Sequence, residues 1–426
     1  MNMNNELREK IKNIIFLNIE AGYSKYLEES YLYIKPSHEK YPFQWWWDTC
    51  FHICILCSLG EYELAKRNLL SLFAMQREDG FIGHMIYWQR LLPSSIFEVF
   101  ETKPSLRDLR PHMSALIQPS FVAQSLERIY KSTGDIKFVN NTLPGLKKYH
   151  DWVLSNRVFD NDNLIVMIAP VESGMDSKPS YDEVLGFGDG HANWKLYFKW
   201  LFLEFLNFTD RYQLEKIRKA NRFHVKDVAF NTINALDLLA LGRLCYQTGD
   251  KQGGEKYTHY AKQITESIMN FMYEENDSAF YDLNGKDNKK LRTITPTILF
   301  PMALSEIPNE VCSDMIRKYL HSSEIFDLTY PIPSVSISDR SFVPNKQGFL
   351  GQDFLWRGPT WIFNNWFVFK CLVKRGFLED AERLKNSTEN LISSSELREY
   401  YNPFTGEGYG AVDFTWAGLL LDMNLD

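Results

Sequence analysis

The sequence has no excess of positive charge. Its 47 lysines and arginines are outnumbered by 54 aspartates and glutamates, which gives a formal net charge of -7, and charges of both signs are mixed along the chain. Nucleic acids and anionic membrane surfaces are bound through clustered positive charge. We therefore expect no nucleic-acid partner and no membrane partner.

Long apolar segments are also missing. The N-terminal segment has no basic region followed by a long apolar run, which is the pattern of a secretory signal. No uninterrupted apolar run reaches the length of a membrane-spanning helix. The sequence thus predicts a cytoplasmic location.

Metal-binding spacings are scarce. The chain has six cysteines, of which Cys50, Cys54 and Cys57 fall on one face of a helix. The last two match C-x-x-C, but isoleucines and leucines surround them, and neither a second such pair nor an H-E-x-x-H motif occurs. This favours buried thiols over the alternative, a metal or redox site. We expect no cofactor and no catalytic metal, while a structural cation on a loop remains open.

Alternating patterns typical of strands are rare, and residues 164–170 and 279–283 are the main candidates. Helical periodicity dominates, as at Leu64, Asn68 and Leu72. A helix repeatedly ends in glycine before another begins, which is typical of αα-hairpins with a left-handed residue at the turn; the glycines are Gly60, Gly134, Gly249 and Gly376. The sequence predicts one all-α domain over residues 1–426 with about a dozen helices.

Aromatic residues, by contrast, make up 15% of the chain. Three of them, Trp45, Trp46 and Trp47, are consecutive, and Asp48 follows. One element cannot bury three adjacent side chains, so at least one indole should face a cavity or water. Further loops mix aromatics, glycine or proline with carboxylates, amides or arginine, at 77–88, 116–120, 169–183, 348–366 and 396–410. Such loops more often bind a ligand than merely connect helices.

This mixture suits a sugar. The apolar C–H face of a pyranose ring packs on an indole, while its hydroxyl groups bond carboxylates, amides and arginine. Hydrolysis of a glycosidic bond then requires two carboxyl groups, one protonated and one ionised near neutral pH.

The loops resemble those of the clan that holds glycoside hydrolase families 37 and 63, which includes trehalases and processing α-glucosidases. "WWWDTCFH" is similar to the family's W-x-W-D-S/T-x-F-H, and "DGFIGHMIYW", "QP", "ESGMD", "WRGPTWIFNNW" and "EYYNPFTGEGYG…FTW" follow in the family's order over roughly residues 41–420. The resemblance implies an (α/α)6 barrel and hydrolysis with inversion at the anomeric carbon. The chain length, with no added β-domain, looks most like the small bacterial mannosylglycerate and glucosylglycerate hydrolases.

The resemblance implies two catalytic residues. Asp176 would be the general acid, and nearby Glu172 would help to raise its pKa. Glu399 would be the general base, with Glu407 and Glu396 as competitors. Inversion needs room for a water molecule, so we expect the two catalytic carboxyl groups to lie roughly 6.5–9.5 Å apart.

It also implies a set of substrate-binding residues. Asp48 and Gln118 would bond the sugar hydroxyls, and Trp47 would lie against the ring. A capping aspartate on a buried aromatic cluster, or an amide at a helix start, is the simpler structural alternative for the two polar residues. The remaining predicted residues are Tyr87, Trp88, Glu172, Arg357 and Trp361. For the first two a place in the core is equally compatible with the sequence, and Arg357 could instead hold two loops together.

The loop of Asp176 departs from the family pattern. Val171 stands where the family has tryptophan, Ser177 where it has asparagine and Lys178 where it has serine. These changes concern the substrate rather than the chemistry. Lys178 could attract an anionic leaving group or point to solvent, of which solvent is favoured, and the same choice applies to Arg222.

We thus expect an inverting, exo-acting α-glycosidase that removes an α-glucosyl or α-mannosyl residue from a small carbohydrate. A sugar epimerase or phosphorylase, or a sugar-binding protein without catalysis, is the alternative. An epimerase would need histidines in the loops, and a phosphorylase a cationic phosphate pocket, for which only Arg357 is an obvious candidate. The sequence does not specify the oligomeric state.

Overall fold

The computed structural model describes residues 5–24, 27–88 and 112–425. Within these ranges it contains α-helices α1 to α12, namely Asn5–Leu17, Trp46–Leu59, Tyr62–Phe73, Val122–Thr133, Ile136–Arg157, Trp194–Thr209, Leu214–Ala220, Val228–Gln247, Lys251–Ser267, Asn309–Met315, Ile362–Arg375 and Leu378–Ser394. Four short 3-10 helices occupy Pro170–Ser173, Pro179–Tyr181, Pro296–Ala303 and Thr415–Asp422.

Six of these elements close into an inner ring. In order around it, α2 contacts α4, α4 contacts α8, α8 contacts Pro296–Ala303, that segment contacts α11, and α11 contacts Thr415–Asp422, which returns to α2. Each inner element also contacts an outer helix, and the outer helices in the same order are α3, α5, α9, α10, α12 and α1. The predicted (α/α)6 barrel is confirmed.

Glycine makes the turns from inner to outer helices. Gly60, Gly134 and Gly376 follow α2, α4 and α11 with φ of 84°, 68° and 79°, and Gly249 after α8 has φ of 84°. Only glycine adopts this left-handed conformation without a steric penalty. The four predicted αα-hairpins are therefore confirmed, each joining an inner helix to its outer partner.

The inner helices are largely buried. Helix α8 is long and apolar enough to cross a membrane by length and composition alone, but 83% of its apolar window is buried inside the protein. This is the burial expected of an inner-ring helix. One main cluster of buried apolar side chains extends from Leu7 to Met423.

The strands are short and lie between the helices. Strands β1 to β14 span Ile19–Ser24, Glu29–Ile34, Gln44–Trp45, Met85–Tyr87, His112–Met113, Val225–Lys226, Tyr273–Glu274, Ala279–Phe280, Asp282–Asn284, Lys289–Leu291, Gly348–Phe349, Gln352–Asp353, Arg398–Tyr401 and Gly408–Val412. They form small antiparallel sheets, two of which have three strands, ordered β3-β4-β5 and β10-β9-β6.

The two strand predictions have different outcomes. The candidate at 279–283 is confirmed, because β8 and β9 cover most of it. The candidate at 164–170 is wrong: Ile165 and Met167 make only isolated bridges, to Val158 and Val225. Its apolar run instead fills the interior, since residues 164 to 169 are all buried.

The cysteines are free thiols. Five of the six are buried and Cys54 is partly buried, as predicted. Burial raises the pKa of the Cys57 thiol to about 11. In the described part of the chain no cluster of three or more histidine, cysteine, aspartate or glutamate residues is arranged to hold a metal ion.

Candidate active site

The N-terminal ends of the inner elements surround a cavity of about 390 Å³. Trp45 and Trp47 lie at the start of α2, Gln118 shortly before α4, Trp361 directly before α11, and Trp416 within the last 3-10 helix. The loops that enter the inner ring thus meet at one end of the barrel. Among the described residues, five carboxyl groups line this cavity, those of Asp48, Asp176, Glu204, Asp353 and Glu399.

The consecutive tryptophans face different ways. Trp45 ends β3 and Trp47 lies in the first turn of α2, and both line the cavity. Trp46 packs in the core against Tyr149, with ring centroids 4.3 Å apart. The prediction that at least one of the three indoles faces a cavity is confirmed.

Asp176 follows a tight turn. The chain leaves the 3-10 helix Pro170–Ser173 through Gly174, whose φ is 69°. A Cβ atom at Gly174 would lie 2.1 Å from Cζ2 of Trp47, so only glycine allows this loop to approach the indole. Burial, and in addition the charge of Glu399, raise the pKa of Asp176 to about 7. Near neutral pH this carboxyl group is therefore protonated in a large fraction of molecules.

Glu399 lies in β13 and is held by three donors. The Tyr41 hydroxyl donates to Oε1 over 2.6 Å, while the Ala411 amide and the Lys40 ammonium donate to Oε2 over 2.8 Å and 3.3 Å. Hydrogen bonds and a nearby positive charge stabilise an ionised carboxylate. The cavity therefore holds a buried carboxyl group with a raised pKa, that of Asp176, and a carboxylate held by three donors, that of Glu399.

The two competing glutamates lie elsewhere. Glu407 is exposed and accepts a 2.9 Å hydrogen bond from the Tyr409 hydroxyl, and Glu396 is exposed beside Arg398. Neither of them belongs to the described lining of the cavity. Of the three candidates for the base, the geometry thus favours Glu399.

Asp48 and Gln118 lie on one wall. The Trp416 indole donates a 2.6 Å hydrogen bond to Oδ1 of Asp48, and burial raises the pKa of this carboxyl group to about 7. The amide oxygen of Gln118 accepts a 3.2 Å hydrogen bond from the backbone N–H of Trp47. Both polar groups are therefore fixed at the lining beside the Trp47 indole.

Trp361 completes the aromatic wall. Its ring stacks on Trp356 with centroids 3.9 Å apart and on Tyr400 with centroids 5.3 Å apart. Its indole N–H donates to the Leu355 carbonyl over 3.0 Å. The ring is thus held in one orientation at the edge of the cavity.

Tyr87 and Trp88, predicted as substrate-binding residues, do not belong to the described lining. Tyr87 packs against Phe43 with centroids 4.7 Å apart. Trp88 stacks on Tyr31 at 4.4 Å and donates to Oε1 of Gln44 over 2.9 Å. Both side chains are buried in the packing around β4, which is the core position that the sequence left open for them.

Glu172 is paired with an arginine in the interior. Its carboxylate is completely buried against Arg157 and accepts hydrogen bonds from the Ile117 and Ile168 amides over 3.0 Å and 2.7 Å. It lies outside the described lining of the cavity, and the charge that raises the pKa of Asp176 is that of Glu399. Glu172 ties the loop at 168–173 to the loop before α4.

Arg357 also lies outside the described lining of the cavity. Its guanidinium makes two hydrogen bonds to Asp182, of 2.8 Å and 2.6 Å, and further bonds to the carbonyls of Ser177 and Gly190. All these partners follow Asp176 in the chain, so the arginine holds the Asp176 loop against the loop before α11. The alternative of an arginine that joins two loops is the one observed.

Lys178 fits neither of its two predicted roles. Its ammonium is buried and lies 2.6 Å from Asp227 and 2.7 Å from Asp282. Arg222, the other candidate, forms a 2.5 Å ion pair with Asp210. Neither residue belongs to the described lining of the cavity. Two carboxylates in the interior explain why the Lys178 ammonium is buried. The sequence around Lys178 does not indicate these partners.

The sequence interpretation missed several lining residues. Tyr41 and Lys40 contact Glu399, Asp353 accepts a 3.1 Å hydrogen bond from Lys40, and Trp200 and Glu204 come from α6. Glu204 had one available signal, because it is the lone acid in the apolar run "WLFLEFL". Asp353 lies in the predicted binding loop 348–366 but was not singled out there, and Tyr41, Lys40 and Trp200 lie outside the predicted loops.

Comparison with known proteins agrees with this geometry. A family model described as the mannosylglycerate hydrolase MGH1-like glycoside hydrolase domain matches residues 41–417. The mannosylglycerate hydrolase of Thermus thermophilus is 26% identical, with 90% of this chain and 94% of that protein covered. The glucosylglycerate hydrolase of Mycolicibacterium hassiacum is 25% identical, with 90% and 92% covered.

A solved structure shares the fold. The GH63 mannosylglycerate hydrolase of Thermus thermophilus in complex with Tris superimposes with a TM-score of 0.82 at 24% identity, over 98% of this chain and 99% of that one. Because the family model covers most of the sequence, the assignment does not depend on the fold alone. The chain is a glycoside hydrolase and belongs to the family of the mannosylglycerate hydrolase MGH1-like glycoside hydrolase domain.

Proposed function

We propose that this protein is an inverting, exo-acting α-glycosidase. It removes one α-glucosyl or α-mannosyl residue from a small substrate, either a glycosylglycerate or a short α-linked oligosaccharide. The observation that carries the proposal is the pair of unlike carboxyl groups in one cavity. Asp176 has a pKa of about 7, while Glu399 accepts hydrogen bonds from Tyr41, Lys40 and Ala411.

The two groups divide the chemistry. Asp176 gives its proton to the glycosidic oxygen as the bond to the anomeric carbon breaks. Glu399 takes a proton from a water molecule, which attacks the anomeric carbon from the opposite face. The configuration at that carbon is thereby inverted. The acid, the base and water suffice, so the proposal includes no cofactor.

The surrounding residues are assigned to the sugar. Asp48 and Gln118 bond hydroxyl groups of the non-reducing residue, and the faces of Trp47 and Trp361 cover its C–H groups. A cavity of about 390 Å³ is within the usual range for small-molecule sites. The names of the relatives, which are mannosylglycerate and glucosylglycerate hydrolases, support a glycosylglycerate as the substrate.

A proton NMR time course tests the proposal. The protein is mixed separately with mannosylglycerate, glucosylglycerate, trehalose and α-linked glucose and mannose disaccharides, beside the variant Asp176→Asn. We expect the β-anomer of the sugar to appear first from at least one substrate, and no release by the variant. Initial release of the α-anomer would overturn the inverting mechanism, and unchanged release by the variant would remove Asp176 from its role.

A further inference from the structure

Positive charge is scarce in the cavity. Five carboxyl groups belong to its described lining, whereas Lys40 is the one lysine or arginine there. The Lys40 ammonium lies 3.3 Å from Oε2 of Glu399 and 3.1 Å from Oδ2 of Asp353. A single cation therefore bridges the proposed base and a second carboxylate, to which the mechanism above assigns no role.

The second carboxylate is held in place by its own hairpin. Asp353 ends β12, which pairs with β11. This hairpin rests on α6, because the ring of Phe349 packs near those of Tyr197 and Phe198, with centroids 5.7 Å and 6.4 Å apart. The Asp353 side chain is only 10% exposed. Asp353 thus offers the Lys40 ammonium a fixed anchor beside the base.

The other groups around Glu399 are negative or neutral. The charge of Glu399 contributes to the raised pKa values of two acids and two phenols, namely Asp48, Asp176, Tyr41 and Tyr400. Arg398, next to Glu399 in β13, pairs with Glu396 outside the described lining. An ionised carboxylate is stabilised by an opposite charge and destabilised by a like one. In the described lining, Lys40 is thus the group that offsets the negative charge around Glu399.

We propose that Lys40 and Asp353 act as a positioning pair for the base. Asp353 holds the Lys40 ammonium, and the ammonium keeps the Glu399 carboxylate ionised and in place to take a proton from water. The bridging ammonium also offsets the repulsion between the two carboxylates that it joins. The inference rests on the proposed function, because it concerns the residue proposed there as the base.

Two lysines that share one partner give a matched comparison. Lys346 lies 3.3 Å from Oδ1 of Asp353, but it is outside the described lining of the cavity, and its ion pair is with Asp353 rather than with Glu399. Lys346→Met therefore removes a cation beside Asp353 and leaves the cation at the base. Lys40→Met removes the cation that contacts both carboxylates, and Lys40→Arg replaces it by another cation.

The first measurement is independent of turnover. The protein is labelled with carbon-13 at the side-chain carboxyl groups of glutamate, and the Glu399 signal is identified by its absence from Glu399→Gln. NMR then follows the pH midpoint at which this signal titrates. Because the Lys40 side chain is 36% exposed, solvent screens part of its charge. We expect Lys40→Met to move the midpoint to higher pH by about one pH unit.

Lys40→Arg should restore most of this difference, and Lys346→Met should leave the midpoint in place. An unchanged midpoint in Lys40→Met would overturn the inference. A shift of the same size in Lys346→Met would overturn it as well, because the effect would then come from general loss of positive charge near Asp353.

Kinetics test the part played by Asp353. Asp353→Asn and Lys40→Met are measured alone and together on a substrate that the wild-type protein hydrolyses. If Asp353 acts through Lys40, Asp353→Asn lowers kcat about tenfold alone and has little further effect when Lys40→Met is present. An equal loss in both backgrounds would show that Asp353 acts without Lys40 and would overturn the pair.

Glu399→Gln distinguishes this failure from failure of the proposed function. Full turnover by Glu399→Gln would remove the proposed base and the positioning pair with it. If Glu399→Gln loses turnover while Lys40→Met keeps the wild-type kcat and titration midpoint, the base stands and only the positioning pair is refuted.

Discussion

The hydroxyl group of Tyr41 donates a 2.6 Å hydrogen bond to Oε1 of Glu399, across 358 residues of sequence. Tyr41 lies just before the consecutive tryptophans and Glu399 lies in the last strand pair, β13 and β14. The contact therefore joins the first and the last of the loops that surround the cavity. It also orients the carboxylate that we propose as the base.

We first predict the effect of Tyr41→Phe. The change removes one hydrogen bond to a charged group, which contributes about 1.5–3 kcal/mol. If that interaction operates in the transition state, kcat falls about 10- to 100-fold. KM should change little, because the lost contact is not made to the sugar. Steady-state kinetics measure both constants.

The control for this prediction is Tyr257→Phe. Tyr257 is also buried, and it donates a 3.0 Å hydrogen bond to Asp151, but neither residue belongs to the described lining of the cavity. Its loss should lower the melting temperature without lowering kcat. Equal activity of the two variants would show that the Tyr41 contact does not support catalysis.

The second prediction concerns the pH dependence of stability. The pKa of Asp176 is raised from 3.8 to about 7 in the folded protein, mainly by burial. Between these pH values the native state binds more protons than the unfolded state, so this residue lowers stability as pH rises. Asp176→Asn removes the cost of the buried charge. The variant should therefore melt a few degrees higher than the wild-type protein above pH 7.

The gain of Asp176→Asn should disappear as pH falls toward about 4, where the aspartate is protonated in both states. Calorimetric melting curves at several pH values check this. A gain of equal size at every pH would contradict the assigned pKa. The same protonation predicts that kcat falls as pH rises through about 7, since the proposed acid then loses its proton.

The sequence predicts four of the helical hairpins well, because each of these inner-to-outer turns has a local signal in its glycine. It predicts the closure of the ring less directly. Two inner elements, Pro296–Ala303 and Thr415–Asp422, are 3-10 helices and lack the 3.6-residue repeat of an α-helix. Their place in the ring depends on contacts with α8, α11 and α2, which no local pattern encodes.

The sequence likewise predicts one part of the candidate site and not the other. Motif residues such as Trp47, Asp48 and Asp176 meet in one cavity, as the resemblance implied. The sequence left two roles open for Arg357 and did not show the partners of Lys178, because the partners of the two residues lie 175 and 49 residues away in sequence. A charged residue in a loop shows its chemistry but not its partner, and the partner decides whether it faces the ligand.

Gly174 provides a third prediction. Gly174→Ala would introduce a Cβ atom 2.1 Å from the Trp47 ring and would strain a backbone with φ of 69°. The indole must move away from the cavity wall, so both stability and kcat/KM should fall. Gly60→Ala is a matched control, because its φ is 84° and a Cβ atom there meets nothing within 4 Å.

Both glycine variants should lose about 1 kcal/mol of unfolding free energy or more from the backbone alone. Only Gly174→Ala should lose activity, by a factor that exceeds its effect on the folded fraction. Denaturant titration and kinetics on the same preparations separate the two effects. Full activity in folded Gly174→Ala would show that the Trp47 position does not matter to turnover.

The last prediction assigns Lys178 to the positioning of Asp176. Lys178 lies two residues after the proposed acid, and its buried ammonium joins Asp227 and Asp282. Ser180 and Tyr181 of the same loop donate to these carboxylates over 2.6 Å and 2.7 Å. Lys178→Met leaves two buried carboxylates unpaired, so we expect a loss of about 3–5 kcal/mol in stability and a displaced acid.

Lys226→Met is the matched control, since Lys226 is an equally buried lysine that pairs with Asp160 and Asp162 outside the described lining of the cavity. Both variants should lose stability, and the leaving group separates their effects on activity. The fluoride ion of a glycosyl fluoride leaves without protonation, whereas the alcohol of an alkyl glycoside needs a proton from the acid. Folded Lys178→Met should therefore retain more activity on the fluoride than on the glycoside, while Lys226→Met affects both alike. If Lys178→Met also lowers both rates by the same factor, Lys178 supports only the fold and not the proton transfer from Asp176.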